Sequence, residues 1–164
     1  MEIQTDVAAS RGIKQSGVHR SISFQEGGLT IKNLVDNRDK MQAYRLRNVI
    51  FCRELGWALQ SHDGLEIDKY DEHAVFLGVL NKQGRLLAFL RFIPADRTFM
   101  IENEFLSLVD PRHAIRKESD TAELSRLCVA PEARKDRVAG NFGSLWLYTG
   151  RIAGGYADCW AASR

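Results

Sequence analysis

One strand-length run, LLAFLRFIP (86–94), restricts the fold more than any other stretch of this sequence. With the two-residue period of a β-strand, Leu86, Ala88, Leu90 and Phe92 share one face, while Leu87, Phe89, Arg91 and Ile93 share the other. Both faces are apolar, so the strand belongs in a sheet covered on both sides. Arg91 then stands where an unpaired guanidinium costs several kcal/mol. Either carboxylates meet it in the interior, or it snorkels to a sheet edge.

The run closes a hairpin. VFLGVL precedes it, and Asn81-Lys82-Gln83-Gly84 supplies the turn. Upstream, LTIKNLV (29–35) reads as a first strand, and Asp36 or Asn37 as the N-cap of a helix reaching about Leu55, with Gly56 just past its end. At 100° per residue, Met41, Tyr44, Asn48, Phe51, Cys52 and Leu55 make one stripe; Arg47 flanks it and Arg53 points away. Residues 58–74 form a polar, acidic loop. MIENEFLSLVD (100–110) is ambiguous, AELSRLCVAP (122–131) is a strand stopped by Pro131, and 132–141 is a basic loop. FGSLWLYTGRIAGGYADCW (142–160) reads as a helix weakened by Gly154-Gly155.

This order gives an α+β (α/β) domain with one mixed central sheet flanked by helices, spanning 29–164, after a mobile arm at 1–28. The 164 residues suit one domain with a real core, and 45% hydrophobic with 27% charged residues is a globular composition. A formal charge of +2 calls for neither nucleic acid nor an anionic membrane. Cys52, Cys128 and Cys159 are widely spaced without metal-ligand spacing, as expected of reduced thiols in a cytoplasmic protein. No signal peptide or transmembrane span is expected. The acidic loop is not an EF-hand, and no metal site is expected. Phosphate-binding, nucleophile-elbow and zinc-hydrolase motifs are absent.

The remaining oddities are charges beside apolar runs. Glu123 and Arg126 interrupt AELSRLCV three residues apart, so a regular strand sends them to opposite faces. A β-bulge between them would aim both into one cavity, while a structural ion pair with Arg91 or Asp68 is the plainer alternative. Asp68 and Asp71 are either solvated loop carboxylates or partners for buried arginines. With Arg47, these groups alternate in sign and are expected to form one buried polar network. Trp57 and Phe105, taken alone, read as core.

Arg47, then Phe51 four residues on and Trp57 ten on, then DKYD (68–71), Arg91, Phe105 and ELSR (123–126) form a spaced pattern. In it the sequence resembles the autoinducer (acyl-homoserine lactone) synthases and the related N-acyl amino acid synthases, both variants of the GCN5-related N-acyltransferase-like fold. The pattern covers 47–126, about half the chain. The resemblance implies an acyltransferase that moves a fatty acyl group from a thioester to an amino-acid-derived amine. Glu123 is then the catalytic base, and backbone N–H groups of strand 122–130 hold the oxyanion. Arg126 and Arg91 hold the carboxylate network, with one of the two binding the acceptor's carboxylate, Asp68 and Asp71 orient the arginines, and Phe51, Trp57 and Phe105 wall the pocket.

Two departures refine the expectation. RKDRVAGNFG lacks the compact R-x-x-G-x-G/A pyrophosphate loop of acetyl-CoA users. That implies no bound cofactor and a donor arm of acyl-phosphopantetheine on acyl carrier protein. Arg134, Lys135 and Arg137 then face that partner, or are simply solvated. The family continues with further strands, so the chain is expected to be incomplete at its C-terminus. The long N-terminal lead and VAPEAR favour an N-acyl amino acid synthase, with a free amino acid as acceptor, an aromatic one among the candidates. The alternative is an acyl-homoserine lactone synthase using S-adenosylmethionine. More distant readings are a CoA-dependent N-acetyltransferase and a non-catalytic binding module.

Overall fold

The structure, a computed structural model, describes residues 23–119 and 121–134. Five strands lie in the order of the sequence: β1 (Ser23–Glu26), β2 (Leu29–Asn33), β3 (Val75–Leu80), β4 (Leu86–Pro94) and β5 (Ala122–Val129). Every ladder among them is antiparallel. The α+β class holds, but the mixed sheet does not appear among the described strands. Between β2 and β3 the helix and the acidic loop together return the chain, so β3 runs back along β2, with Ile31 opposite Val79. The sheet also starts earlier than residue 29, because Gly27 and Gly28 at positive φ turn β1 onto β2. Residues 1–22 of the expected arm and the expected helix at 142–160 lie outside the described residues.

β4 is buried along nearly its whole length, as its two apolar faces require. On one face Phe89, Leu87 and Cys128 pack with Leu34, Ala43, Leu46, Ile50 and Phe51. On the other, Ile31, Val79, Ala88 and Leu90 form a second cluster. Burial pushes the Cys128 thiol up to about 12, which marks a packing residue and no nucleophile.

Helix α1 (Asn37–Arg47) begins where Asp36 caps it, its Oδ1 accepting from the Asp39 N–H at 2.9 Å. From Asn48 to Glu54 the helix continues with π winding. The widened turn ends at Leu55, whose N–H donates to the Ile50 carbonyl; Trp57 and Ala58 both donate to the Phe51 carbonyl. Gly56 takes φ +65 there, the left-handed turn needed to leave the helix. The π segment stacks Trp57 on Phe51, centroids 6.1 Å apart, and π-turns of this kind concentrate at functional sites. The ambiguous 100–110 stretch resolves into a short helix, α2 (Met100–Asn103), and a 3₁₀ turn at Leu106–Leu108. No described helix is long and apolar enough to cross a membrane.

A Cβ at Gly56 would meet nothing within 4 Å, so the cost of a side chain there is conformational alone. Gly56→Ala is expected to lower stability by about 1 kcal/mol and Gly56→Asn by less, measured by denaturant unfolding.

Candidate functional site

The acidic loop folds around a local device that its spacing encodes. Lys69–Glu72 is a single 3₁₀ turn capped at Asp68, whose Oδ1 accepts from the Tyr70 N–H at 2.9 Å. Asp71 reaches back, its Oδ2 accepting from the Asp68 N–H at 2.8 Å. This reciprocal capping box fixes both carboxylates relative to one another before any arginine arrives.

Arg47 and Arg91 meet them from two sides, both at 0% exposure. Arg91 Nη1 donates to Asp68 Oδ1 at 2.5 Å and to Asp71 Oδ1 at 2.7 Å, and its Nε donates to Ser125 Oγ at 2.9 Å. Arg47 Nη1 donates to Asp71 Oδ1 at 2.7 Å, and its Nε to Glu66 Oε2. Arg126 closes the network from β5: Nη2 lies 3.0 Å from Glu66 Oε1 and 2.9 Å from Asp68 Oδ2. Three guanidinium groups thus face three carboxylates, a balanced set that lets this charge leave water. Burial pushes the Asp68 carboxyl up, but the hydrogen bond and charge of Arg91, followed by the charges of Arg126 and Arg47, outweigh it; the carboxyl lies below its ordinary value.

The expected bulge is present. Phe89 pairs with Cys128 and Arg91 with Ser125, so β5 carries one extra residue opposite Leu90. Arg126 has φ +55, the sole positive φ outside glycine among the described residues. The extra residue turns Arg126 to the same face as Ser125, toward Glu66 and Asp68.

A cavity of about 830 Å³ opens over this network. Phe51, Trp57, Phe105, Tyr70 and Met100 give it apolar walls, and Asp68, Lys69, Glu104 and Arg126 line it with charge. Phe105 and Trp57 are therefore cavity walls rather than core, with Trp57 75% exposed. Arg47, Asp71 and Arg91 lie beneath, in the network.

Glu123 is placed differently from the expectation. It shares a sheet face with Ser125, yet its Oε2 accepts from the Met100 N–H at 2.6 Å and its Oε1 from the Ile101 N–H at 2.9 Å. It holds the start of α2 and does not line the cavity, because Met100 lies between them. Arg134 is likewise committed, with Nη1 and Nη2 donating to Glu54 at 2.5 and 2.7 Å and Nε to the Val129 carbonyl. That bidentate pair closes β5 onto the end of the π segment and leaves Arg134 no free fork for a docking partner. Lys135 and Arg137 lie outside the described residues.

Sequence reading missed Glu66, Met100, Ser125 and Tyr70. Met100 Sδ accepts from Arg91 Nη2 at 2.7 Å, and the Arg91 guanidinium lies 5.7 Å from the Tyr70 ring centroid. For Glu66 the sequence offers only composition, its place in a loop dense with acids.

Arg91→Ala removes one of the two fully buried guanidinium groups that Asp68 and Asp71 share, leaving Arg47 alone between them, and is expected to cost roughly 3–5 kcal/mol, read as a lower melting temperature. Because the folded-state pKa of Asp68 is depressed, its contribution is complete above the unfolded value of about 3.9 and is lost as pH falls through the folded value. Stability is thus expected to hold from neutral pH to about 5 and to drop below about 4. Asp68→Asn should flatten that acid limb in pH-dependent urea unfolding.

The profile of the autoinducer synthase family matches residues 31–154. Among curated proteins, the acyl-homoserine-lactone synthase of Vibrio anguillarum is 31% identical over 96 residues, 58% of this chain and 49% of that protein. The synthase of Rhizobium etli is 33% identical over 101 residues, 60% of this chain and 47% of its own. The chain spans about half the length of these relatives. Among solved structures, that of a CoA-dependent acyl-homoserine lactone synthase, BjaI, with MTA superposes with a TM-score of 0.60 at 29% identity, over 70% of this chain and 53% of that one. The synthase LasI matches at 0.62 and 19% identity, over 76% and 64%, a likeness of fold. The chain belongs to the autoinducer synthase family.

Proposed function

We propose that this chain carries the acyl-acceptor site of an acyl-homoserine-lactone synthase, joining a fatty acyl thioester to the α-amine of S-adenosylmethionine. Of the two branches expected from the sequence, the lactone synthases take precedence over the N-acyl amino acid synthases, because the curated relatives are lactone synthases. The observation that carries the reading is the convergence of a charge-balanced arginine–carboxylate network under an aromatic-walled cavity of about 830 Å³. An acceptor with a sulfonium, an ammonium and a carboxylate suits that lining. Aromatic faces attract a cation. Arg126 is part-exposed and takes the carboxylate, while Asp68 and Glu104 face the ammonium.

The α-amine must lose a proton before its lone pair attacks the thioester carbon, and the thiolate then leaves with a proton. We assign the developing oxyanion to backbone N–H groups of the bulged strand β5. Closing the lactone requires the acceptor's carboxylate to displace its sulfonium as a neutral thioether. Glu123 serves as a positioning residue: by holding α2 it sets Met100 in the cavity wall and against Arg91.

We assign the donor to an acyl carrier protein. CoA is the second reading, favoured by the CoA-dependent synthase BjaI. The test is mass spectrometry after incubating the chain with S-adenosylmethionine and either acyl-carrier protein or acyl-CoA. An acyl lactone appearing with the carrier donor is the expected result. Linear N-acyl amino acid formed from free amino acid, with no lactone, overturns the acceptor assignment. Lactone from acyl-CoA alone overturns the donor. Trp57→Ala is expected to weaken methylthioadenosine binding on the order of tenfold in calorimetry, through loss of the stacking wall.

A further inference from the structure

The outer side of α1 and its π continuation carries Arg38, Arg45 and Arg53, all exposed. None forms a hydrogen bond or ion pair with a described residue, whereas Arg85, Arg97, Arg112 and Arg134 are each paired with a carboxylate. Nor does the helix offer partners. The positions three and four residues away hold Leu34, Val35, Met41 and Gln42 for Arg38; Met41, Gln42, Asn48 and Val49 for Arg45; and Val49, Ile50, Gly56 and Trp57 for Arg53. A helix that stabilised itself through its surface would place acids there.

The three arginines share one face. Seven residues of α-helix separate the first two, about 20° short of two full turns. Eight separate the second pair, and the π winding takes up the extra residue, so these again make about two turns. Neighbouring guanidinium positions lie roughly 10 Å apart along the axis, too far to converge on one pyrophosphate. Val49, 36% exposed, stands between Arg45 and Arg53, and part-buried Met41 between Arg38 and Arg45. Cations spaced by apolar residues complement an acidic amphipathic surface; a nucleic-acid backbone would gain nothing from the apolar positions. The same segment presents Arg47 inward and ends at Trp57 on the cavity wall.

We propose that Arg38, Arg45 and Arg53 form the docking face for the acidic protein that delivers the acyl thioester. This rests on the carrier-protein reading of the donor, and it moves the docking surface away from the internally paired Arg134.

The experiment titrates a bacterial holo-acyl carrier protein into the full chain, the triple variant Arg38→Glu/Arg45→Glu/Arg53→Glu, and an Arg112→Glu/Arg116→Glu control. Affinity of the triple variant is expected to fall on the order of tenfold or more at about 50 mM salt, with the gap narrowing by about 0.5 M. The control is expected to bind as the wild type does, and the melting temperature of the triple variant to stay unchanged. Equal affinity of triple variant and wild type overturns the docking face while leaving the donor reading in place. A wild type that binds no carrier protein overturns both. Tighter binding of duplex DNA than of carrier protein, lost in the triple variant, overturns the choice of partner.

Discussion

The described fold depends on setting three arginines, two of them fully buried, against three carboxylates. A guanidinium at 0% exposure is tolerable only if its charge is matched and its N–H groups are directed at acceptors. Arg47 comes from the end of α1, Arg91 from the middle of β4, Arg126 from the bulge of β5, and Glu66, Asp68 and Asp71 from the loop between α1 and β3. No two adjacent elements complete the set. The network therefore forces helix, loop and two strands into one register, because a slip of any of them leaves a charge stranded. Lysine would not serve: Arg91 touches Asp68, Asp71, Ser125 and Met100 through three different nitrogens, which a point ammonium cannot match.

The loop contributes order as well as charge. Six residues from Glu66 to Asp71 would lose much entropy if each carboxylate were fixed by arginine alone. The capping box spends that entropy locally, through the Asp68 and Asp71 contacts to the turn's own N–H groups. Two carboxylates three residues apart then point at one place. Tyr70, between them, adds a ring under Arg91 and donates from its hydroxyl to Glu104 at 3.3 Å, tying the turn to the far cavity wall. Electrostatics, local capping and cavity shape are here one arrangement.

Much of this was legible in the sequence, for physical reasons that differ by residue. Period-two apolar faces identified β4 and made Arg91 anomalous, and a buried cation implies buried acids. The cap at Asp36 and the stop at Gly56 bounded the helix. The π winding escaped because no local residue announces an extra residue per turn. Glu66 escaped for the opposite reason: it sits among Asp63, Asp68, Asp71 and Glu72, and nothing in the order of five acids says which are withdrawn from water. Glu123 shows the limit of a strand pattern. The bulge and the shared face were foreseeable, whereas the intervention of α2 between Glu123 and the cavity depends on tertiary packing of a four-residue helix. Phe105 and Trp57, core residues by composition, were wall residues only through the family pattern, and the cavity lining includes both.

The bulge at Arg126 ties stability to function. A positive φ on a β-branch-free but bulky residue costs on the order of 1 kcal/mol, and such strain persists only where surroundings hold it. Here the holding contacts are Glu66 and Asp68, with the Arg126 guanidinium 5.5 Å from the Phe51 ring centroid. A regular strand would send this guanidinium to the other sheet face, leave Glu66 and Asp68 with unbalanced charge, and keep β4 and β5 in continuous register. The bulge does three things at once. It completes the charge balance of the buried network, brings the one part-exposed arginine of that network to the cavity, and shifts the β4–β5 register beside Ser125. The strain at Arg126 is therefore best understood as the point at which the interior network is coupled to the cavity surface.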